Sequence, residues 1–405
     1  MKDAPSHPGA LAATERERLL MLLAFATFVV FFQAYAIAPM LPQLASHFQV
    51  DVREAGLAVP AYLIPYGVAT LATGLLADRL GIAKVMLSSL TLFVLLVLAT
   101  AVSGSLEVLV ILRAVTGIAA SGIVPLALVV VAKLYPYAER GRPLGWIFGA
   151  MAGGMAVGAP LGVVISPVIG WQGVMVLVAC LASVTLVLLW CAREWLSGGM
   201  KMPAMTVSSV LAGYGELLRS PRGARTYGYV LVNSMFHSGV FTWLAVYLNQ
   251  RYGLSPQHIG IALLGYGVPG LLLGPLIGRA ADRFGRGRLL PMGLGLSAIA
   301  VLMLFEGLPL AWFLLPVVLL SLGYDMTQPL LAGIVTDVGR NRPGQAMGLN
   351  VCTLFLGFGI GSLVFRGLIE SGFSIAFGVF AAVELMLALA SFFMFRNEIP
   401  KPRQQ

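Results

Sequence analysis

Twelve apolar stretches, each near 20 residues, follow one another along this 405-residue chain with only short polar breaks between them. They run near 19–41, 54–76, 84–103, 107–131, 143–165, 171–192, 226–248, 257–279, 288–306, 310–333, 344–366 and 372–395. A helix of about 20 such residues crosses the hydrocarbon of a bilayer, and no water-soluble core could bury a dozen of them. Composition agrees, with 59% apolar residues, 11% charged residues and a mean hydropathy of +0.90, against roughly 25% charge in soluble domains. The chain reads as an all-α membrane protein. Its first apolar run is too long for the core of a secretory leader and lacks a clean cleavage site, so it reads as a retained first span.

The one sizeable polar break, from Arg193 to Arg225, divides the chain into six spans plus six. This gives an N-terminal bundle (1–192), a central loop (193–225) and a C-terminal bundle (226–405). A net charge of +9 would suggest nucleic acid in a soluble protein, but here it resides in short loops, so no nucleic-acid partner is expected. On one side of the membrane lie 22 of the 26 basic residues; the other side has Arg53, Arg251 and Arg366, and Arg113 falls inside the fourth span. The bias places both termini and the central loop in the cytoplasm, and short loops with compact length point to a bacterial inner membrane. Within the central loop, Val207, Val210, Leu211, Tyr214, Leu217 and Leu218 have helical spacing and lead into Arg219, Arg222 and Arg225. That pattern predicts a surface helix drawn to anionic lipid. Cys180, Cys191 and Cys352 all lie in apolar runs, so neither a disulfide framework nor a metal site is expected, and no P-loop or other cofactor motif is present.

Shifting the second half by 204 residues aligns Gly56 with Gly260, Tyr62 with Tyr266, Pro65 with Pro269 and Gly74 with Gly278. The same shift pairs Ala77, Asp78, Arg79 and Gly81 with Ala281, Asp282, Arg283 and Gly285. A shift of 203 pairs Gly141, Gly145, Gly154 and Gly158 with Gly344, Gly348, Gly357 and Gly361. Because each half has an even number of spans, the repeats share one orientation, as in transporters that rock about a midplane site.

The segment Gly74-Leu75-Leu76-Ala77-Asp78-Arg79-Leu80-Gly81, with Lys84 beyond it, resembles the signature loop of the major facilitator superfamily between its second and third helices. Gly278 to Arg286 repeats it between the eighth and ninth, and the resemblance covers essentially the whole chain. Arg113 with Gly117, and Gly154, Gly158, Pro160 and Gly162 followed by Gly170-Trp171, are similar to motifs of the twelve-helix drug and sugar efflux antiporters, the arabinose-efflux-like group. Two departures are Ile82, where a basic residue is common, and Ala159, where glycine usually precedes the proline. The resemblance implies a monomer with two parallel six-helix pseudo-repeats. It also implies that Asp78, Arg79 and Gly81, with Asp282, Arg283 and Gly285, latch the two halves at the cytoplasmic face.

Asp78 and Asp282 stand at helix C-termini, where the helix dipole is already negative, so each carboxylate needs a cation or another helix's N-terminus. The small-residue stripes of the fifth span allow close helix packing, and Gly158 and Pro160 are candidate bending points. Ionisable side chains at membrane depth mark pathways or relays. Asp325, His237, Arg113 and Glu384 are therefore the candidates for proton coupling, with interhelical hydrogen bonding as the bland alternative and peripheral Glu384 the hardest to place. Arg113 stays charged and would act by biasing a nearby carboxylate toward ionisation.

A substrate cavity is expected among Phe31, Gln33, Tyr35, Tyr62, Tyr66, Trp146, Asn233, Phe236, Phe241, Tyr266, Tyr324 and Gln328. Aromatic walls with a few polar groups suit a small amphipathic molecule, although any one of these rings equally suits helix packing. The first span carries no acid; Gln33 is its polar centre. The function expected is efflux of drugs, sugars or metabolites in exchange for protons, by alternating access. Proton-coupled uptake is the rival within transport, and a non-transporting sensor or scaffold the rival outside it. No nucleophile or metal constellation indicates an enzyme.

Overall fold

A computed structural model describes residues 12–135, 141–197, 207–305, 309, 312–340 and 342–398, and every regular element among them is helical. Of the basic residues read as cytoplasmic, Lys2, Arg140, Lys201, Lys401 and Arg403 lie outside the described residues. The first half comprises α1 (Ala13–Ala36), α2 (Leu41–Phe48), α3 (Val52–Ala55), α4 (Pro60–Leu80), α5 (Ile82–Ala101), α6 (Leu106–Ala120), α7 (Val124–Leu134) and α8 (Gly141–Cys191). Short α9 (Arg193–Ser197) and α10 (Val207–Arg219) follow. The second half comprises α11 (Pro221–Tyr252), α12 (Pro256–Leu263), α13 (Val268–Phe284), α14 (Arg286–Phe305), α15 (Leu314–Val338), α16 (Pro343–Ile369) and α17 (Phe373–Met394).

Ten helical segments among the described residues are long and apolar enough to cross a membrane, against the twelve expected stretches. The difference has two sources. The fifth and sixth stretches run on as one element, α8, which turns at Gly170 (φ 73°, ψ 163°) immediately before Trp171. The eighth stretch is split into α12 and α13 around Gly267 (φ 102°), since Pro269 has no N–H to continue the ladder and glycine alone takes that backbone readily. Helix starts follow local chemistry. Ser105 caps α6 by accepting from the Val108 N–H, and Ser220 caps α11 by accepting from the Gly223 N–H at 3.0 Å, with Pro221 in the first helical position.

Large apolar side chains point outward all round, among them Leu95 (59% exposed), Ile111 (62%) and Phe393 (76%). Such a surface is stable against lipid tails and not against water.

The repeat has structural meaning at matching positions. A Cβ on Gly154 would lie 2.6 Å from the Phe28 carbonyl and 2.8 Å from Phe31 Cβ, and one on Gly158 2.6 Å from the Phe32 carbonyl, so α8 lies directly on α1. In the second half a Cβ on Gly357 would lie 2.6 Å from the Leu231 carbonyl, and Gly361 has no room for one against Met235, so α16 lies on α11 in the same way. Gly162 continues the first seam against Ala36 at 3.1 Å. This stripe is packing within a half, and Pro160 sits inside continuous α8. The signature loops also match: α4 ends at Gly81 (φ 91°, ψ 144°) and α13 at Gly285 (φ 87°, ψ 149°), each followed at once by the next helix.

Candidate functional site

The two halves meet mainly at the end away from the signature loops. There the Trp243 ring packs against Gly56, where a Cβ would come within 2.6 Å of Cζ2, and the indole N–H is fixed by donation to the Ser362 carbonyl at 3.1 Å. Arg366 Nε donates to the Arg53 carbonyl at 2.6 Å, and Arg53 faces Glu370 at 3.4 Å. A Cβ on Gly260, the repeat partner of Gly56, would stand 3.1 Å from the Pro160 carbonyl, and one on Gly267 2.9 Å from Ala156 Cα. Contact persists to mid-depth through Gly67 against Cys352 and Phe355, and Leu71 still packs on a cluster formed by Leu217, Tyr227, Val335, Ala346 and Leu349.

Toward the signature loops the halves separate. Gly74, Gly145, Gly149, Gly278 and Gly344 all face open space. Asp78 has one oxygen without a hydrogen bond, and the cation whose field reaches it is Lys133 of α7, in its own half. Arg283 lies 5.4 Å over the neighbouring Phe284 ring. The Asp282 side chain is outside the described ones. The ion pairs Arg142–Glu17, Arg222–Asp337, Arg222–Glu398, Arg225–Glu398 and Arg340–Asp337 at this end each stay within one half, and Arg342–Glu216 ties α10 to the second.

At mid-depth the helices bring most of the expected aromatic residues together. Tyr62 stacks on Tyr66 (5.9 Å between centroids), Tyr66 on Phe355 (4.1 Å), and Phe31 meets Phe355 edge-on (5.9 Å). Tyr35 touches Phe241 and Phe358, Phe241 lies 4.4 Å from Tyr266, and Tyr324 reaches Phe358. Phe355 and Phe358 of α16 hold this cluster together, and the sequence reading did not single them out. Two expected members stand apart: Trp146 is 50% exposed and has no ring contact with the cluster, and Phe236 packs on Phe380 of α17.

The polar side chains divide by half. In the second half, Asn233 donates to Thr327 at 2.9 Å and Gln328 to Ser234 at 3.0 Å, tying α11 to α15. His237 Nε2 lies 3.3 Å from Ser297 Oγ, with Tyr324 edge-on to the ring. Half-buried Asp325 accepts from Ser321 Oγ at 3.3 Å, and that oxygen accepts from the Gly267 N–H at 2.9 Å. Glu384 is fully buried with neither oxygen hydrogen-bonded.

In the first half, buried Gln33, Tyr62 and Tyr66 have side-chain polar atoms without partners. Arg113 donates from Nε to the Ala58 carbonyl at 3.0 Å and lies 4.5 Å over the Tyr62 ring. No described carboxylate pairs with it, so the expected carboxylate partner is missing from this arrangement.

A further charged network at the loop end escaped the sequence reading. Arg222 grips Glu398 with two nitrogens (2.8 and 2.6 Å) and Asp337 with a third (2.6 Å), while Arg225 adds a bond to Glu398 at 2.8 Å. Burial alone would raise the Glu398 carboxyl, but the hydrogen bond and charge of Arg222, with those of Arg225, hold it below the ordinary carboxylate value. The central-loop helix α10 forms where expected. It buries Val210 and Leu217 against the protein and leaves Leu211 (63%) and Leu218 (44%) exposed.

Comparison with known proteins agrees with this arrangement. The crystal structure of a D-xylose–proton symporter superposes with a TM-score of 0.77 at 17% identity, covering 96% of this chain and 99% of that one. The probable sulfoacetate transporter SauU of Cupriavidus necator is 24% identical over 94% of each chain. The quinolone resistance protein NorA of Staphylococcus aureus is 22% identical over 89% of this chain and 93% of its own. The family model for the Major Facilitator Superfamily matches residues 23–256 and 226–405. With helix packing that repeats between two halves, paired signature loops and a polar, aromatic seam between them, the chain belongs to the major facilitator superfamily: it is a multi-pass membrane protein, a secondary transporter and not an enzyme.

Proposed function

We propose that the chain is a proton-coupled efflux antiporter for small amphipathic organic compounds, working as a monomer in the plasma membrane with its signature loops and both termini in the cytoplasm. The observation that carries this reading is the chain of hydrogen bonds from Asp325 through Ser321 to the Gly267 N–H. Gly267 sits in the break of the eighth span and abuts Ala156 of the opposite half. Protonation converts one Asp325 oxygen from acceptor to donor. The Ser321 hydroxyl then has cause to turn, and with it the hold on the backbone at the contact between halves. Proton occupancy and the contact between halves thereby become one equilibrium, as coupling requires. Relatives named for quinolone resistance and for tetracenomycin C resistance and export support efflux as the direction.

The aromatic cluster supplies apolar walls at mid-depth, and open space at the loop end supplies a route to it from the cytoplasm. His237 and Glu384 stand as secondary proton sites. The latch role of Asp78, Arg79, Gly81, Asp282, Arg283 and Gly285 belongs to the alternate state, in which the loop end closes. The outward apolar face of α10 lies on membrane lipid and tethers the halves.

Inverted and right-side-out vesicles under an imposed proton gradient test the direction. Accumulation of compound in acid-loaded inverted vesicles supports efflux antiport. Accumulation in right-side-out vesicles under an inward proton gradient identifies uptake symport instead.

A further inference from the structure

Arg113 is fully buried, and its Nη1 and Nη2 have no hydrogen-bond partner, although Nε is fixed by the Ala58 carbonyl. A guanidinium keeps its charge in protein. Leaving Nη1 and Nη2 without acceptors beside that charge costs several kcal/mol, a cost that an anionic acceptor recovers best. Nothing in the described chain does so: no described carboxylate pairs with Arg113, and the ionisable group that registers its field is Tyr62. The Tyr62 ring holds the guanidinium plane at 4.5 Å. One turn on, Tyr66 lies against it, and both phenol hydroxyls are buried without partners. Gln33 of the first span likewise leaves both its oxygen and its nitrogen unused.

At the corresponding level of the second half, the Asn233 and Gln328 amide nitrogens are instead spent on Thr327 and Ser234. The Arg113 group also lies at the seam: Tyr66 stacks on Phe355 of the opposite half, and Arg113 holds Ala58, two residues from the Gly56 contact with Trp243. Parting the halves at that end would uncover it.

We infer that Arg113 is the receptor for an acidic group on the transported compound, so that the substrate class is amphipathic organic monoanions, carboxylates or sulfonates borne on an apolar or aromatic body. This rests on the transport reading above and narrows its substrate. The two free nitrogens form the fork that takes a carboxylate or sulfonate through two parallel bonds. The Tyr62 and Tyr66 hydroxyls add donors, and the rings of Phe31, Tyr66 and Phe355 pack the apolar body.

The test is equilibrium binding to the purified full-length protein in lipid nanodiscs, with phenylacetate and phenylmethanesulfonate as acids and phenylacetamide as a neutral match in shape. The parent protein binds at least one acid about tenfold or more tighter than the amide, as a charge-assisted bond requires. Arg113→Gln abolishes the preference, Arg113→Lys keeps part of it, and Tyr66→Phe weakens the acid severalfold while sparing the charge. Should Arg113→Gln fail to fold, Arg113→Lys and Tyr66→Phe still decide. Equal binding of acid and amide, an undiminished preference in the variants, or no binding of either acid overturns the inference. No proton gradient enters this measurement. A failure of proton coupling therefore shows separately, as charge-selective binding that persists without compound-driven proton movement.

Discussion

Where the two halves face one another, the repeat-matched glycines at the two ends stand in different surroundings. Away from the signature loops, Gly56 and its repeat partner Gly260 are points of contact between the halves, one under the Trp243 ring and the other against α8. At the loop end, Gly74, Gly278 and Gly344 have nothing near them, and the ion pairs there hold each half to itself. One end is closed by complementary surfaces, and the other retains small residues with no present contact to justify them. Under the alternating access proposed above, the second set of glycines serves the closure of the loop end.

Breaking the closed end has the largest expected effect. Gly56 has an ordinary helical backbone (φ −57°), so Gly56→Leu tests space alone, and the pinned Trp243 cannot yield it. Flux falls by more than about tenfold as the closed state is disfavoured. Spin labels at Gln49 and Ser371, with the three native cysteines replaced by serine, report a longer distance across that end. An unchanged distance would show that the Trp243 contact does not hold the halves together.

Next in size is Glu398→Gln, which loosens the grip of Arg222 and Arg225 at the loop end of the second half and lowers stability by about 2 kcal/mol, read as thermal unfolding in detergent. Because the folded carboxyl titrates below its ordinary value, its contribution is complete at neutral pH. It starts to fade as the pH falls to the unfolded glutamate value near about 4.3 and is gone below the lowered folded value. A Glu398→Gln protein lacks this part of the acid loss, so an identical acid profile for parent and variant would contradict the assignment.

Arg366→Ala removes one hydrogen bond to the Arg53 carbonyl and the closed end loosens by up to about 1 kcal/mol, a small lengthening in the same label experiment. Smallest of all is Gly149→Ala, within about 0.5 kcal/mol in stability because the new methyl meets nothing. A loss of several kcal/mol there would mean that the loop end is packed rather than open.

Much of the fold was legible because its causes are local or periodic. Span length and the 204-residue offset are one-dimensional signals, and the offset located Gly81 and Gly285, whose positive φ matches to within a few degrees. The small-residue stripe at Gly154, Gly158 and Gly162 was equally visible, though only the structure shows that it seats α1 within a half. Burial was partly readable too: Arg113, His237 and Glu384, named from their place in apolar runs, are buried, and Asp325 is half-buried. Rotation about a helix axis was not readable: Trp146 and Phe236 turned away from the cluster while Phe355 and Phe358 turned in. Long-range ion pairs were equally hidden, since Arg222 and Glu398 are 176 residues apart. For Arg113, sequence could name the arginine but not that Nε would be fixed by a backbone carbonyl while Nη1 and Nη2 stay unpartnered.

The most direct test of the account is proton movement in proteoliposomes on adding a panel of amphipathic acids, drugs, sugars and amino acids, with Asp325→Asn beside the parent protein. The account predicts a compound-dependent proton signal that disappears in Asp325→Asn while exchange of compound against compound continues. A proton signal that survives the substitution would remove Asp325 from the coupling step, and compound flux with no proton signal in the parent protein would contradict proton-driven transport itself.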